Sequence, residues 1–328
     1  MVKNKIFISF VLFLSLMELS QAQDPQFSQF YANRLYLNPA FAGANICPVF
    51  TASHRNQWPA LGNTFVTYTA SVDGYVDALQ GGVGLNIMSD QQGDGALSTT
   101  ALDAMYSYTL RVTNTFNITG GFQASFVNRK LNWEGLVFPD MIDELYGIIY
   151  RTSETVPENQ SKGYFDFSAG ALGFGKNYYF GIAVHHLAQP EESYFNSSDA
   201  VLPRKYTLHF GAKIPLNHRR YKRGELSISP NFMYQRQQDF EQLNYGLYIS
   251  RHAVTFGMWM RQNFDFHYDS FIMLIGFVQD ELKISYSYDL TISKLAKETL
   301  GGHEVTLSYQ FPCRQKRKKW SAIKCPNF

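Results

Sequence analysis

The sequence predicts an antiparallel β-barrel that crosses a membrane, and three observations carry that expectation. First, apolar and polar residues alternate with period 2 in nearly every segment beyond Thr64. In 102–112, Leu102, Ala104, Tyr106, Tyr108, Leu110 and Val112 alternate with Asp103, Ser107, Thr109 and Arg111, so one face of a strand is greasy and the other polar. Second, aromatic residues make up 16% of the chain and charged residues only 17%, against roughly 25% charged in an ordinary soluble domain. No apolar run after Ala22 is long enough to span a bilayer as a helix. Third, long and short connections alternate down the chain, as in outer-membrane barrels with external loops and tight periplasmic turns; a Greek-key sandwich has no reason to do so.

Four segments follow in chain order. Residues 1–22 have the three regions of a secretory signal peptide: Lys3 and Lys5, an apolar run from Ile6 to Met17, and the small-residue site Ser20-Gln21-Ala22. Residues 23–46 read as an N-terminal periplasmic or plug segment. Its stretch QDPQFSQFYANRLYLNPAFAG has no strand or helix period, yet its aromatics need burial and its Asn and Gln side chains need partners. Residues 47–312 hold the barrel, with about 14 strands, each near the ~9–11 residues that cross a bilayer at a tilt. Residues 313–328 form a basic tail containing RQKRKKW, suited to lipid headgroups or to a periplasmic partner.

An even strand number places both termini in the periplasm. The longer links expected on the external side are 57–63, 89–96, 128–162, 188–203, 235–242, 261–269 and 291–302, and 215–224 is an exception among the short ones. Gly81-Gly82, Gly120-Gly121 and Gly301-Gly302 fit bulges or tight bends better than phosphate loops. The polar face, with Asp103, Lys205 and Lys283 among its charges, lines the lumen. Cys47 and Cys313 fall at the two ends of the barrel sequence, where closure would make them neighbours; Cys313 with Cys325 is the other pairing, and sequence leaves the choice open.

The chemistry searched for is largely absent. His185-His186 on a strand would point to opposite faces and could not chelate one ion together. Asp140, Asp143 and Glu144 lack the spacing of a calcium loop. There is no G-x-S-x-G elbow, H-E-x-x-H pair or P-loop, and a net charge of +2 gives no argument for nucleic acid. No enzyme, metal or cofactor is expected.

The opening stretch, with Asp24-Pro25, Gln29-Phe30, Asn38-Pro39-Ala40 and Gly43, followed by Arg55, Trp58 and the terminal KCPNF, resembles the PorP/SprF family of Bacteroidetes outer-membrane proteins. That resemblance implies a non-enzymatic barrel of the type IX secretion system. It would support secretion or surface attachment of adhesins, and in some members gliding motility, by binding the periplasmic ring lipoprotein complex or the C-terminal domain of a large secreted adhesin. The residues inferred for plug or partner binding are Phe27, Phe30, Tyr31, Asn38 and Pro39 in the opening stretch and Arg314, Lys316, Arg317, Lys318, Lys319 and Trp320 in the tail. The competing expectation is an outer-membrane channel or hydrophobic-solute transporter.

Overall fold

The computed structural model describes residues 24–61, 65–143, 145–195, 200–216, 226–264, 267–292 and 299–313. Expectations for the signal peptide, for Glu144 and for the basic tail with Cys325 lie outside the described residues.

Among the described residues, fourteen antiparallel strands close into a barrel. They are β1 (Val49–Gln57), β2 (Phe65–Val76), β3 (Gly81–Gln92), β4 (Leu97–Arg111), β5 (Asn117–Leu131), β6 (Ser161–Phe174), β7 (Tyr178–His185) and β8 (Lys205–Ala212). Then follow β9 (Ser227–Gln237), β10 (Phe240–Arg251), β11 (Val254–Gln262), β12 (Tyr268–Gln279), β13 (Leu282–Thr291) and β14 (Gly302–Gln310). Each strand pairs with its chain neighbour, and β1 pairs with β14 from Val49↔Gln310 to Gln57↔Gly302. Closure removes the exposed edges that an open sheet would leave in lipid.

The alternation read in the sequence is the inside and outside of this wall. On β4, Leu102, Tyr106 and Tyr108 are exposed on the outer face, whereas Ala101, Asp103, Met105 and Ser107 are buried in the lumen. Strands range from 8 to 15 residues, a wider spread than the sequence suggests, because β4, β5 and β6 extend toward the long 132–160 connection.

The barrel has a loop end, carrying connections 58–64, 132–160, 186–204 and 292–301, and a turn end with 112–116, 175–177, 252–253 and 280–281. Four connections break the rule: the links expected to be long at 89–96 and 261–269 reduce to 93–96 and 263–267, no longer than the turn-end link 112–116, and two others depart further. The link expected to be long at 235–242 is a two-residue turn at the loop end, with Gln238 at φ 52°. Connection 213–226 is long although it lies at the turn end.

Residues 24–47 do not join the wall; they run through the lumen. Asp24 contacts His186 and Lys205 at the loop end, and Cys47 is joined by a disulfide to Cys313 at the turn end, with a Cα–Cα distance of 5.6 Å. The described chain therefore starts and finishes at opposite ends of the barrel. Strand parity sets where the wall begins, and residues 24–47, threaded through the lumen, cross from one end of the barrel to the other.

Candidate functional site

The lumenal segment and the wall around it form the site. Its local structure comes from one short helix, Arg34–Leu37, and a 3-10 turn, Pro39–Phe41. Asn38 links them with extended backbone, and its side-chain oxygen accepts from the Ala40 N–H at 2.9 Å, as an N-cap does. The remaining Asn38 valences reach the wall: Nδ2 donates to the carbonyl of Ile182 at 3.0 Å and lies 3.1 Å from His209 Nε2. Pro39 at the first position of the turn has no N–H to satisfy.

The wall makes room for this turn with glycine. A Cβ on Gly121 would lie 2.3 Å from Ala40 N, and one on Gly82 would lie 2.0 Å from Ala42 O. Gly43, at φ +67°, also approaches Gly82 closely. Gly82 and Gly121 sit in ladders with unbroken register. They are contact points for the lumenal segment and not bulges or bends, which corrects the sequence reading; Gly301, at φ +69°, is the one of the three spots that does turn the chain.

Three sets of polar contacts hold the segment. Glu304 on β14 accepts the backbone N–H groups of Ser28 at 2.6 Å and Gln29 at 3.2 Å, and the Asn33 amide at 3.2 Å. Arg55 on β1 faces both Glu304, at 3.4 Å, and Asp289, at 3.1 Å, while Arg261 reaches Asp289 at 2.9 Å. Two arginines thus neutralise two carboxylates in a site closed to solvent, as buried charges require. Nearer the turn end, Arg34 pairs with Asp73 at 2.9 Å, and the other Asp73 oxygen accepts from Gly43 N–H at 2.9 Å.

The third set lies at the loop end. His186 stands between Asp24, at 2.8 Å, and Asp166, at 2.6 Å, and Lys205 donates to Asp24. Burial alone would raise the Asp24 carboxyl, but the charges of His186 and Lys205 outweigh it and hold it well below the usual range. For His186 burial disfavours the cation, yet Asp24 and Asp166 raise it to about 9. The expected opposite facing of His185 and His186 is corrected: His186 lies past the end of β7 at φ 58°, so both rings turn inward, with His185 3.4 Å from the Leu37 carbonyl. No cluster able to hold a metal occurs among the described residues.

Aromatic packing completes the occlusion. Phe30 meets Trp259 edge-on at 4.7 Å between centroids, and Tyr31 meets Tyr179 at 5.8 Å. The Tyr31 hydroxyl lies within donating distance, 3.1 Å, of the Phe210 and Phe232 carbonyls. Phe41 stacks on His209 at 5.4 Å. Of the residues inferred from sequence, Phe27, Phe30, Tyr31, Asn38 and Pro39 are all buried in the lumen; Arg314, Lys316, Arg317, Lys318, Lys319 and Trp320 lie outside the described residues. The wall residues Asp289, Glu304 and Arg261 were missed, because an inward polar residue looks the same in sequence whether it meets water or a plug, whereas the need of Gln29 for a partner is met by Ser287, Ser285 and Glu304.

Above the plug, at the loop end, a cavity of about 930 Å³ is bounded below by Asp24, Pro25 and Gln26. In the 132–160 connection, Asp140 accepts from the Ser153 N–H and Asp143 from the N–H groups of Leu145 and Tyr146. Both carboxyls are lowered by these bonds, which organise the loop.

A closed barrel with a greasy outer wall, an occluded lumen and no catalytic constellation among the described residues defines a membrane protein of the outer-membrane barrel class. The chain belongs to the family of type IX secretion system membrane proteins PorP/SprF, whose model matches residues 19–309. No curated protein matches it. Solved structures similar to it include the toluene transporter TbuX of Ralstonia pickettii, 10% identical over 85% of this chain and 93% of that one, with a TM-score of 0.48. A FadL homologue of Pseudomonas aeruginosa is 11% identical over 84% and 93%, with a TM-score of 0.43. The outer membrane protein Omp33 of Acinetobacter baumannii is 8% identical over 81% and 100%, with a TM-score of 0.41.

Proposed function

We propose that this chain is a plugged, non-enzymatic outer-membrane barrel that serves type IX secretion as a docking partner, supporting secretion or surface attachment of adhesins. Family membership supports the secretion role. The observation that carries the docking reading is the lumenal segment: residues 27–44 are held to the wall by the Arg34–Asp73 ion pair, by hydrogen bonds to Glu304 and by aromatic contacts, so the barrel is built to stay closed and does not serve as a passive pore. In this reading the loop end faces outward, where adhesins arrive. The turn end faces the periplasm, within reach of the ring lipoprotein complex and of the basic residues 314–319.

Deletion of the gene abolishes surface display of specific adhesins, and gliding where the organism glides, while general outer-membrane integrity persists. Normal display in the deletion strain overturns the proposal. Single-channel recording of purified protein separates the alternative, a channel or hydrophobic-solute transporter, because a plugged docking barrel passes little current.

A further inference from the structure

The 132–160 connection between β5 and β6 presents an apolar surface that the barrel itself does not use. Leu145 and Tyr146 are 83% and 75% exposed, and Ile142, Ile148, Ile149 and Tyr150 are each more than half exposed. They fall close together. Ile142 and Ile148 are cross-strand partners in a two-residue antiparallel ladder, Leu145 and Tyr146 sit in its turn, and Ile149 and Tyr150 follow at once. Single exposed apolar residues are ordinary, whereas a contiguous group marks a contact surface. Polar bonds hold its shape: Asp143 accepts the N–H groups of Leu145 and Tyr146 at 2.9 and 3.0 Å, and the Met141 carbonyl accepts those of Ile149 and Tyr150 at 3.1 and 3.2 Å. A surface ordered in advance loses less freedom on binding.

Two observations decide what covers it. The first concerns lipid. On the outer wall below the connection the greasy band ends at the row Leu102, Phe126 and Phe165, where the two phenylalanine rings meet at 5.2 Å between centroids, as in an interfacial girdle. Beyond that row the outward positions are Thr100, Asn128 and Gly163, then Ser98, Lys130 and Ser161. This collar carries no greasy side chain, and it sets the end of β5 about 16 Å along the strand from Phe126, at ~3.3 Å per residue. The connection therefore starts in water, beyond the lipid. The second observation concerns charge: Glu134, Asp140, Asp143, Glu144, Glu154 and Glu158 stand in the connection against Arg151 alone. An identical patch on a second copy would be repelled, whereas basic residues on a different protein would be attracted.

We propose that Ile142, Leu145, Tyr146, Ile148, Ile149 and Tyr150 form a docking surface, outside the membrane, for a partner protein that presents apolar side chains flanked by lysine or arginine. The apolar group supplies the contact area, and the acidic residues around it steer the partner and fix its register. The inference rests on the docking reading and deepens it, naming the surface used and the chemistry the partner must present.

The test uses the full chain in the outer membrane of intact cells. The photoreactive p-benzoylphenylalanine replaces Tyr146 or Ile148, and in a control Phe126; the cells are illuminated and adducts identified by mass spectrometry. Positions 146 and 148 cross-link one and the same protein, different from this chain, and position 126 yields lipid alone. Leu145→Ser, Ile149→Ser and Tyr150→Ser together lower the protein adduct at least about 10-fold, as loss of central apolar contacts does. Glu154→Lys with Glu158→Lys lowers it about 3-fold or more. Heat-modifiable gel mobility is unchanged in both variants, because neither touches the wall. Adducts with lipid alone, adducts with a second copy alone, no adduct, or a protein adduct unaffected by the serine substitutions each overturn the surface. An adduct unaffected by the lysine substitutions overturns the basic partner. Surface display is read separately. If the deletion strain loses display while the serine variant keeps it without forming the adduct, the docking reading stands and this surface falls; normal display in the deletion strain removes the docking reading itself.

Discussion

Arg55 and Glu304 are direct cross-strand partners at the seam where the first and last strands close the barrel, and their side chains meet in the lumen 3.4 Å apart. The same Glu304 oxygen accepts from Ser28 and Gln29. One ion pair therefore joins three things: the first strand, the last strand and the segment that fills the space between them.

Breaking this pair strands a buried charge. Arg55→Leu destabilises the barrel by about 3–5 kcal/mol, the range for removing one partner of a buried salt bridge. Glu304→Gln, which keeps an acceptor, costs less. Urea unfolding in micelles followed by tryptophan fluorescence reads both, and R55L also raises single-channel current because the plug loses its upper anchor.

Adjacent glycines on β5 provide an internal control. Gly121→Val drives a side chain into the Ala40 backbone and costs about 1–3 kcal/mol or more, as overpacking does. Gly120 faces open space, where an added methyl would meet nothing within 4 Å, and Gly120→Ala leaves the unfolding midpoint nearly unchanged. Equal effects of the two substitutions would show that the Pro39–Phe41 turn is not seated against β5 in the folded protein.

The disulfide spans 266 residues of sequence, and cross-links that close long loops restrict the unfolded chain most. Its reduction, or Cys47→Ser, lowers stability by about 2–4 kcal/mol. The folded-to-unfolded mobility shift on gels run after heating with and without reductant moves to lower temperature accordingly.

The loop-end anchor is pH-dependent in a predictable direction. His186 is raised to about 9, so its contribution is complete below the ordinary histidine value of about 6.5 and is lost as pH rises through about 9. Asp24 is lowered, so its contribution is present above the ordinary carboxylate range and is lost only on strong acidification. Limited proteolysis near Asp24 is faster at about pH 9.5 than at about pH 7. His186→Gln removes that difference; a wild-type rate independent of pH over this window contradicts the assignment.

Much of the wall was legible because each strand states its own orientation. Leu102 and Asp103 differ in character because one faces lipid and the other the lumen, and that distinction survives in any window of a few residues. The need of Phe27, Phe30 and Tyr31 for burial was equally visible. The path of the segment was not, since the same composition fits a rim, a plug entering from either end, or a partner surface. His186 was misjudged because a positive φ rotates its side chain out of the strand pattern, and Gly82 and Gly121 because close approach by another segment leaves no local mark.

By itself the sequence determined the closed, lipid-facing barrel: alternation is a local property, and a bilayer leaves a backbone only helices or closed sheets. Tertiary structure alone decided that the lumen is filled from loop end to turn end, that Cys47 meets Cys313, and that Arg55, Asp289 and Glu304 converge on Ser28 and Gln29. Apart from Arg55 to Ser28, these contacts join residues more than 230 positions apart. Which of many inward polar side chains become partners depends on strand register around the whole circumference, a geometry that exists only once the barrel has closed.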